Sequence, residues 1–204
     1  MFGKLAASVG DAVGTGQGDN CRILSPAQFA NEKLLLTYIL PEEKIFVILK
    51  SPREEYIFTD RGLITVRGNS SIGTKKSVER FDYCQHRVSR VRIQSPGLAG
   101  TDYDGELFFQ LGGVTISIDI RRDEWEGVKP IYRTLVKLQD RQFREATAYH
   151  LFQETLSKAW LQNGDAKVIK DLTVASDAAV ERYFPVSYID IWEQHAKDNE
   201  ATRV

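Results

Sequence analysis

A glycine-rich segment with two lysines is the first feature of the sequence that could do chemistry. It covers residues 68–77, GNSSIGTKKS, in which Gly68 and Gly73 have the spacing of a phosphate-binding loop. In such a loop, GxxxxGKS or GxxxxGKT, the lysine directly follows the second glycine and a helix begins there, so that both reach the phosphates. Here Thr74 precedes Lys75, and the next residues, SVERFDY, alternate as a strand does. We therefore interpret the segment as a connection between two strands, with its lysines in solvent.

Residues suited to catalysis or metal binding are sparse. The histidines, His86, His150 and His195, are widely separated, and Cys21 and Cys84 fit neither a disulfide framework nor a CxxC metal pair. The motifs HExxH, GxSxG and SxxK do not occur. We therefore predict a non-enzymatic protein with no metal site and no cofactor. A catalytic site assembled from distant residues is the alternative that the sequence leaves open.

Positive charge is concentrated in the middle of the chain. Between Arg61 and Arg92 there are eight basic residues against Glu79 and Asp82, whereas residues 102–126 hold seven acidic residues against two arginines. One interpretation is a patch for anionic lipid or phosphate. The other, which we favour, is a pair of complementary surfaces within the fold or between subunits. The candidate anion or partner contacts are Arg61, Lys75, Lys76 and Arg80.

Two further features restrict the class of partner. The net charge of −1 and the lack of a recognition helix or an RNA-binding aromatic motif argue against nucleic acid as a partner. The longest apolar runs are far shorter than the roughly twenty residues that span a bilayer, and the first residues lack a signal peptide. We therefore predict a cytoplasmic protein with at most peripheral membrane contact.

Alternating apolar residues between residues 44 and 120 predict seven strands. The clearest example is VTISIDI, in which every second residue is valine or isoleucine. The connections are too short for parallel crossovers, so we expect an antiparallel barrel or sandwich. The predicted strands are 45–50, 56–59, 63–67, 75–83, 87–95, 106–112 and 114–120.

After residue 120 the apolar spacing becomes helical. Apolar residues at spacings of three and four between residues 128 and 138 predict an amphipathic helix that caps one end of the sheet. Helical character continues to a turn at 163–165, resumes near Ser176 and is broken by Pro185. The last sixty or so residues have a large apolar face, which usually docks on its own domain or on a partner subunit. The candidate oligomer contacts are Tyr149, Phe152, Leu156, Trp160, Ile191 and Trp192.

The segment from residue 54 to residue 113 closely resembles bacterial pleckstrin-homology (PH) domain proteins of the YvbH-like type. The opening MFGKLAA and the closing YIDIWEQH resemble the ends of that family as well. The residues that carry the resemblance are Phe58-Thr59, Leu63-Ile64, Lys75-Lys76, Tyr83 and Asp102-Tyr103-Asp104-Gly105-Glu106.

The resemblance implies a mainly β fold with α: a seven-stranded antiparallel PH-like barrel or sandwich, a capping helix and a helical-hairpin extension. It also implies homo-oligomers, which are ring-like among relatives, and no established enzymatic activity. The expected divisions are an N-terminal segment with short helices (1–40), the barrel with its capping helix (41–139) and an oligomerisation region (140–204).

Two departures from the family pattern bear on ligand binding. Asp60-Arg61-Gly62 stands where relatives often carry Asn-Lys, and the first hairpin, residues 51–55, holds one arginine and two glutamates. Lipid-binding eukaryotic PH domains have basic residues there, so phosphoinositide binding at that hairpin is not supported. We predict a PH-like module that self-assembles through its tail and acts as a protein–protein scaffold. The alternative is binding of anionic lipid or a phosphate ligand through the basic region 61–92.

Overall fold

Two antiparallel sheets form the body of the protein. The computed structural model describes residues 20–32, 36–68, 76–97, 104–162 and 166–202, and within these it contains eight strands. Each strand pairs with the next one in its sheet. The five-stranded sheet contains β1 (Arg22–Leu24), β2 (Ile45–Lys50), β3 (Glu54–Thr59), β4 (Gly62–Gly68) and β5 (Lys76–Asp82). The three-stranded sheet contains β6 (Val88–Gln94), β7 (Gly105–Leu111) and β8 (Val114–Ile120).

The seven strands predicted from the sequence are confirmed, and β1 is an additional strand. Strands β6, β7 and β8 alternate between buried and exposed residues, because one face of their sheet meets the core. Strands β2, β3 and β4 have buried residues on both faces, which explains their nearly continuous apolar sequences. Their outer face forms a second small core with Phe29, Tyr38 and Ile39 from the segment that precedes β2.

The two corners of the barrel are closed by different means. At one corner the backbone of Cys21 donates a hydrogen bond to the carbonyl of Asp119, at 2.7 Å, and forms a parallel bridge to β8. At the other corner, between β5 and β6, a buried helix side chain takes the place of strand pairing. The amide nitrogen of Gln142 donates to the carbonyl of Tyr83 at 2.7 Å, and its oxygen accepts from the N–H of Val88 at 2.8 Å.

Four α-helices complete the described fold. They are α1 (Pro26–Phe29), α2 (Trp125–Gln162), α3 (Ala166–Tyr183) and α4 (Ile189–Thr202), with a short 3-10 turn at Arg122–Glu124 before α2. The first part of α2 caps the barrel, and the predicted capping helix is confirmed. Its buried apolar residues are Val128, Ile131, Leu135 and Leu138.

The rest of α2 continues beyond the barrel, and α3 packs back against it. The boundary expected between residues 139 and 140 therefore falls inside one continuous helix. Helix α4 returns to the barrel, where Trp192 is 0% exposed and belongs to the main core. The buried ring of His195 reinforces this return, with its Nδ1 atom 3.0 Å from Oγ1 of Thr134 in α2. None of the described helices is both long enough and apolar enough to cross a membrane.

Candidate functional site

Arg80, a member of the predicted basic patch, forms an ion pair with the buried carboxylate of Glu43. Its guanidinium makes two hydrogen bonds to Glu43, at 2.9 and 3.1 Å, and a third to Asp82 at 2.7 Å. The side chain of Glu43 has no exposed surface, and it also accepts hydrogen bonds from the hydroxyl of Thr59 and the N–H of Leu40. Fork-shaped contacts of this kind are the stronger class of ion pair.

The surroundings of Glu43 keep its carboxylate ionised. Burial by itself raises the pKa of Glu43, but hydrogen bonds from Arg80, Thr59 and the backbone of Leu40 outweigh burial, and the pKa lies below its ordinary value. Burial lowers the pKa of Arg80, but its contacts with Glu43 and Asp82 outweigh this and raise it. Both partners are therefore charged at neutral pH, and the charge of Arg80 is neutralised within the fold.

The other predicted anion contacts do not form one cluster. Nη1 of Arg61 lies 2.9 Å from Glu42, and Nζ of Lys76 lies 3.3 Å from Glu55. Along β4, Lys76 pairs with Gly68 and Arg80 with Ile64, so these two cations lie near opposite ends of the strands. Lys75 falls outside the residues that the structure describes. The described carboxylate partners thus come from segments before β4 and from β5 itself, and not from residues 102–126.

The predicted oligomer contacts divide between two places. Trp192 is buried in the barrel core of its own chain and the partly buried Ile191 packs against that core. Four others lie on the hairpin of α2 and α3: Tyr149, Phe152, Leu156 and Trp160. The ring of Tyr149 meets Phe184 edge-on at 4.9 Å. These contacts hold the base of the hairpin together.

A groove runs along one side of the hairpin towards its tip. It has a volume of about 560 Å³ and is lined by Leu156, Trp160 and Leu161 from α2 and by Leu172 from α3. Trp160 is 52% exposed and Leu161 is 88% exposed. Among the described side chains between residues 143 and 183, Ala179 alone is buried. The hairpin therefore has almost no core of its own.

Three arginines in or next to β6 belong to the basic region but are not among the contacts predicted from the sequence. They are Arg87, Arg90 and Arg92, and none has a carboxylate partner among the described residues. Arg92 lies over the ring of Phe108 at 4.0 Å, and Arg87 lies 6.0 Å from the ring of Phe184. The sequence alone does not show that these three lack an ion-pair partner, whereas Arg61, Lys76 and Arg80 have one. Ion pairing depends on which distant carboxylates the fold brings close.

Comparison with known proteins agrees with this architecture. The family model described as "Bacterial PH domain" matches residues 15–139. The chain belongs to the bacterial PH domain family. This bacterial PH domain protein is 30% identical over 161 residues to "Uncharacterized protein YvbH" of Bacillus subtilis (strain 168), an alignment that covers 78% of this chain and 75% of YvbH. The recognition of a YvbH-like protein from its sequence is thus confirmed.

A solved structure shows the same fold. The PH domain containing bacterial protein from Exiguobacterium sibiricum 255-15 superposes with a TM-score of 0.78 at 23% identity. The match covers 87% of this chain and 99% of that one, so it includes much of the helical region as well as the barrel. PH-like domain families are generally non-enzymatic. Across the described ranges, no group of three or more His, Cys, Asp or Glu residues could hold a metal ion.

Proposed function

We propose that this bacterial PH domain protein is a non-enzymatic interaction module that self-assembles through the hairpin of α2 and α3. The observation that supports the proposal is that few side chains are buried among the described residues of that hairpin, together with its exposed Leu151, Trp160, Leu161 and Val174. Fully burying one such side chain contributes roughly 1.5–3 kcal/mol, and helices in proteins are stabilised mainly by packing of their apolar face. A second layer of helices would supply the missing packing.

A second copy of the same hairpin is the partner that we propose. The groove beside Leu156, Trp160 and Leu172 offers apolar surface from both helices, which is the kind of surface that a further helix packs against. Two hairpins that meet groove to groove would form a four-helix arrangement around a shared core. Such a contact uses the same surface on both copies, as the commonest homodimers do, and it closes at two copies. A ring would need a second contact that joins different surfaces of neighbouring copies.

Absolute mass in solution, measured by light scattering, tests the proposal. We expect the wild type to form an oligomer and the double substitution Trp160→Glu with Leu161→Glu, at two exposed residues of the groove, to shift it to the mass of one chain, 23.1 kDa. The matched control is Val114→Glu, because Val114 is also an exposed apolar residue but lies in the barrel. Point substitutions are preferable to removal of residues 140–204, since that deletion would also remove Trp192 from the core. A monomeric wild type would refute self-assembly.

A scaffold role follows from self-assembly, because each copy in the oligomer would present its own barrel surface to other proteins. Several copies held together bind a multivalent partner more tightly than one copy does. Lipid binding through Arg61, Lys76 and Arg80 is not what we propose, because each of these cations already has a carboxylate within 3.3 Å. We propose the cytoplasm as the place of this assembly, in line with the sequence analysis.

A further inference from the structure

A second groove lies on the barrel, between β6 and α2, away from the tip of the hairpin. It has a volume of about 600 Å³. Val136 and Phe143, two helical turns apart on one face of α2, supply its apolar wall, and Phe143 is 70% exposed. Such a large exposed aromatic side chain beside a concave surface is typical of a binding site.

The charge of this groove is unbalanced. Arg87 and Arg90 both line it, and neither has a carboxylate partner among the residues that the structure describes. Its acidic residue, Asp140, is already paired with Arg144 at 2.7 Å. Arg61, Lys76 and Arg80 are paired with carboxylates of the fold, whereas Arg87 and Arg90 remain available to a partner.

A β-bulge brings the two arginines to the same groove. In a regular strand, residues three apart point to opposite faces of the sheet. The register of β6 against β7 shifts by one residue between Ser89 and Arg92, which inserts an extra residue and restarts the alternation. Arg90 lies at this shift with φ of +52°, and it is the sole non-glycine residue with positive φ in the described part of the chain. That conformation is unfavourable for a residue with a side chain.

The strand beside the groove is the outer strand of its sheet. Strand β6 pairs with β7 on one side, and on the other side it packs against α2 and pairs with no strand in the described part of the chain. Glutamine side chains of α2 take two of its outer N–H groups: Gln142 binds Val88 at 2.8 Å, and Gln139 binds Val91 at the long distance of 3.4 Å. A ligand is therefore expected to lie in the groove rather than to add a strand, and an extended chain there directs alternate side chains to β6 on one side and to α2 on the other.

We propose that the groove between β6 and α2 binds an extended acidic segment of another protein, in which carboxylate and apolar side chains alternate. The carboxylates pair with Arg87 and Arg90, and the apolar side chains pack on Val136 and Phe143. A membrane surface fits less well, because the groove is concave and two arginines are few for a lipid-binding patch. This site does not depend on self-assembly of the hairpin.

Fluorescence anisotropy with a defined probe tests the proposal. The probe is a short fluorescein-labelled peptide of alternating aspartate and leucine, titrated with the full-length protein, and its control is the same peptide with lysine in place of aspartate. We expect the acidic peptide alone to bind, with an affinity that falls as salt is added. The double substitution Arg87→Ser with Arg90→Ser should weaken binding by about tenfold, and Phe143→Ser by a similar factor.

Matched variants separate binding from folding. Arg22→Ser with Arg122→Ser removes two exposed arginines outside the groove and should leave the affinity unchanged. All the substituted side chains are exposed, so the thermal midpoint of each variant should equal that of the wild type. Failure of the acidic peptide to bind, equal binding of the lysine peptide, or unchanged affinity in the Arg87/Arg90 variant would each overturn the proposal. Arginine-dependent sedimentation with phosphatidylserine vesicles, without peptide binding, would overturn it in favour of a membrane site.

Discussion

The indole ring of Trp192, in the last helix, lies 5.8 Å from the ring of Phe58 in strand β3. A second aromatic residue, Phe46 of β2, stacks on Trp192 at the same distance. Around them, Ser187 donates a hydrogen bond to the buried carboxylate of Asp60, and the N–H of Tyr188 donates to the carbonyl of Asp60 at 2.7 Å. The C-terminal helix is therefore part of the barrel, although α3 and the end of α2 separate it from the barrel in sequence.

Truncation of Trp192 tests this role of the C-terminal helix. We expect Trp192→Ala to lower the free energy of unfolding by about 3–5 kcal/mol, because it leaves a large cavity in a closed core. The matched control is Trp160→Ala on the hairpin, where the side chain is half-exposed, and we expect a loss below about 1 kcal/mol in the monomer. Urea unfolding, carried out where the protein is monomeric, measures both. Equal losses in the two variants would show that Trp192 is not a core residue.

Gln142 provides a second test, at the corner between β5 and β6. Gln142→Leu keeps nearly the same volume but leaves the carbonyl of Tyr83 and the N–H of Val88 without a partner. Each buried polar group left unsatisfied costs about 1–3 kcal/mol, so we expect a loss of about 2–4 kcal/mol. Gln139→Leu removes one long hydrogen bond and should cost less than about 1 kcal/mol. If urea unfolding finds the Gln142 variant as stable as the wild type, the side chain does not hold the corner.

The ion pair of Glu43 and Arg80 predicts a dependence of stability on pH. The pKa of Glu43 in the folded protein lies below its ordinary value of 4.5, so the unfolded chain takes up the proton first as the pH falls. The stabilisation is therefore complete above that value and is lost as the pH falls through the folded pKa. Glu43→Gln should reduce the free energy of unfolding by about 1–3 kcal/mol near neutral pH, because the charge-assisted hydrogen bonds are lost.

Two measurements check this prediction: urea unfolding over a range of pH, and substitution of the neighbouring Glu42. We expect the difference in unfolding free energy between wild type and Glu43→Gln to be constant above pH 4.5 and to shrink as the pH is lowered further in urea titrations. Glu42→Gln changes an exposed carboxylate, which pairs with Arg61, and should cost less than about 1 kcal/mol. A difference for Glu43→Gln that stays constant over the whole range would mean that its ionisation does not contribute to stability.

The strands and the capping helix were predictable because their signal is local. One face of strand β8 is buried, and the alternation of Ile116, Ile118 and Ile120 shows that face in the sequence itself. Strand β1 was not predicted, because its three residues are too few to show an alternating pattern. The packing of α4 against the barrel could not be predicted in this way. Its sequence shows an apolar face, but not whether Trp192 would meet Phe58 or another chain.

The candidate site was harder to predict for the same reason. The sequence shows how many arginines lie between residues 61 and 92, but pairing depends on distant carboxylates such as Glu43. The shared groove of Arg87 and Arg90 arises from a bulge, and strict alternation places these two residues on opposite faces. Exposure on the hairpin also depends on how α3 packs on α2. The sequence shows that Leu161 is apolar, but only the fold shows that it is 88% exposed.

Self-assembly through the hairpin is tested most directly by the absolute mass of the full-length wild-type protein over a range of concentrations. The exposed apolar residues of α2 and α3 predict a multiple of 23.1 kDa at concentrations of about 10–100 µM, where even a moderate affinity gives a complex. They also predict a return to 23.1 kDa when Trp160 and Leu161 are both replaced by glutamate. A wild-type mass of 23.1 kDa throughout that range would contradict the proposed function.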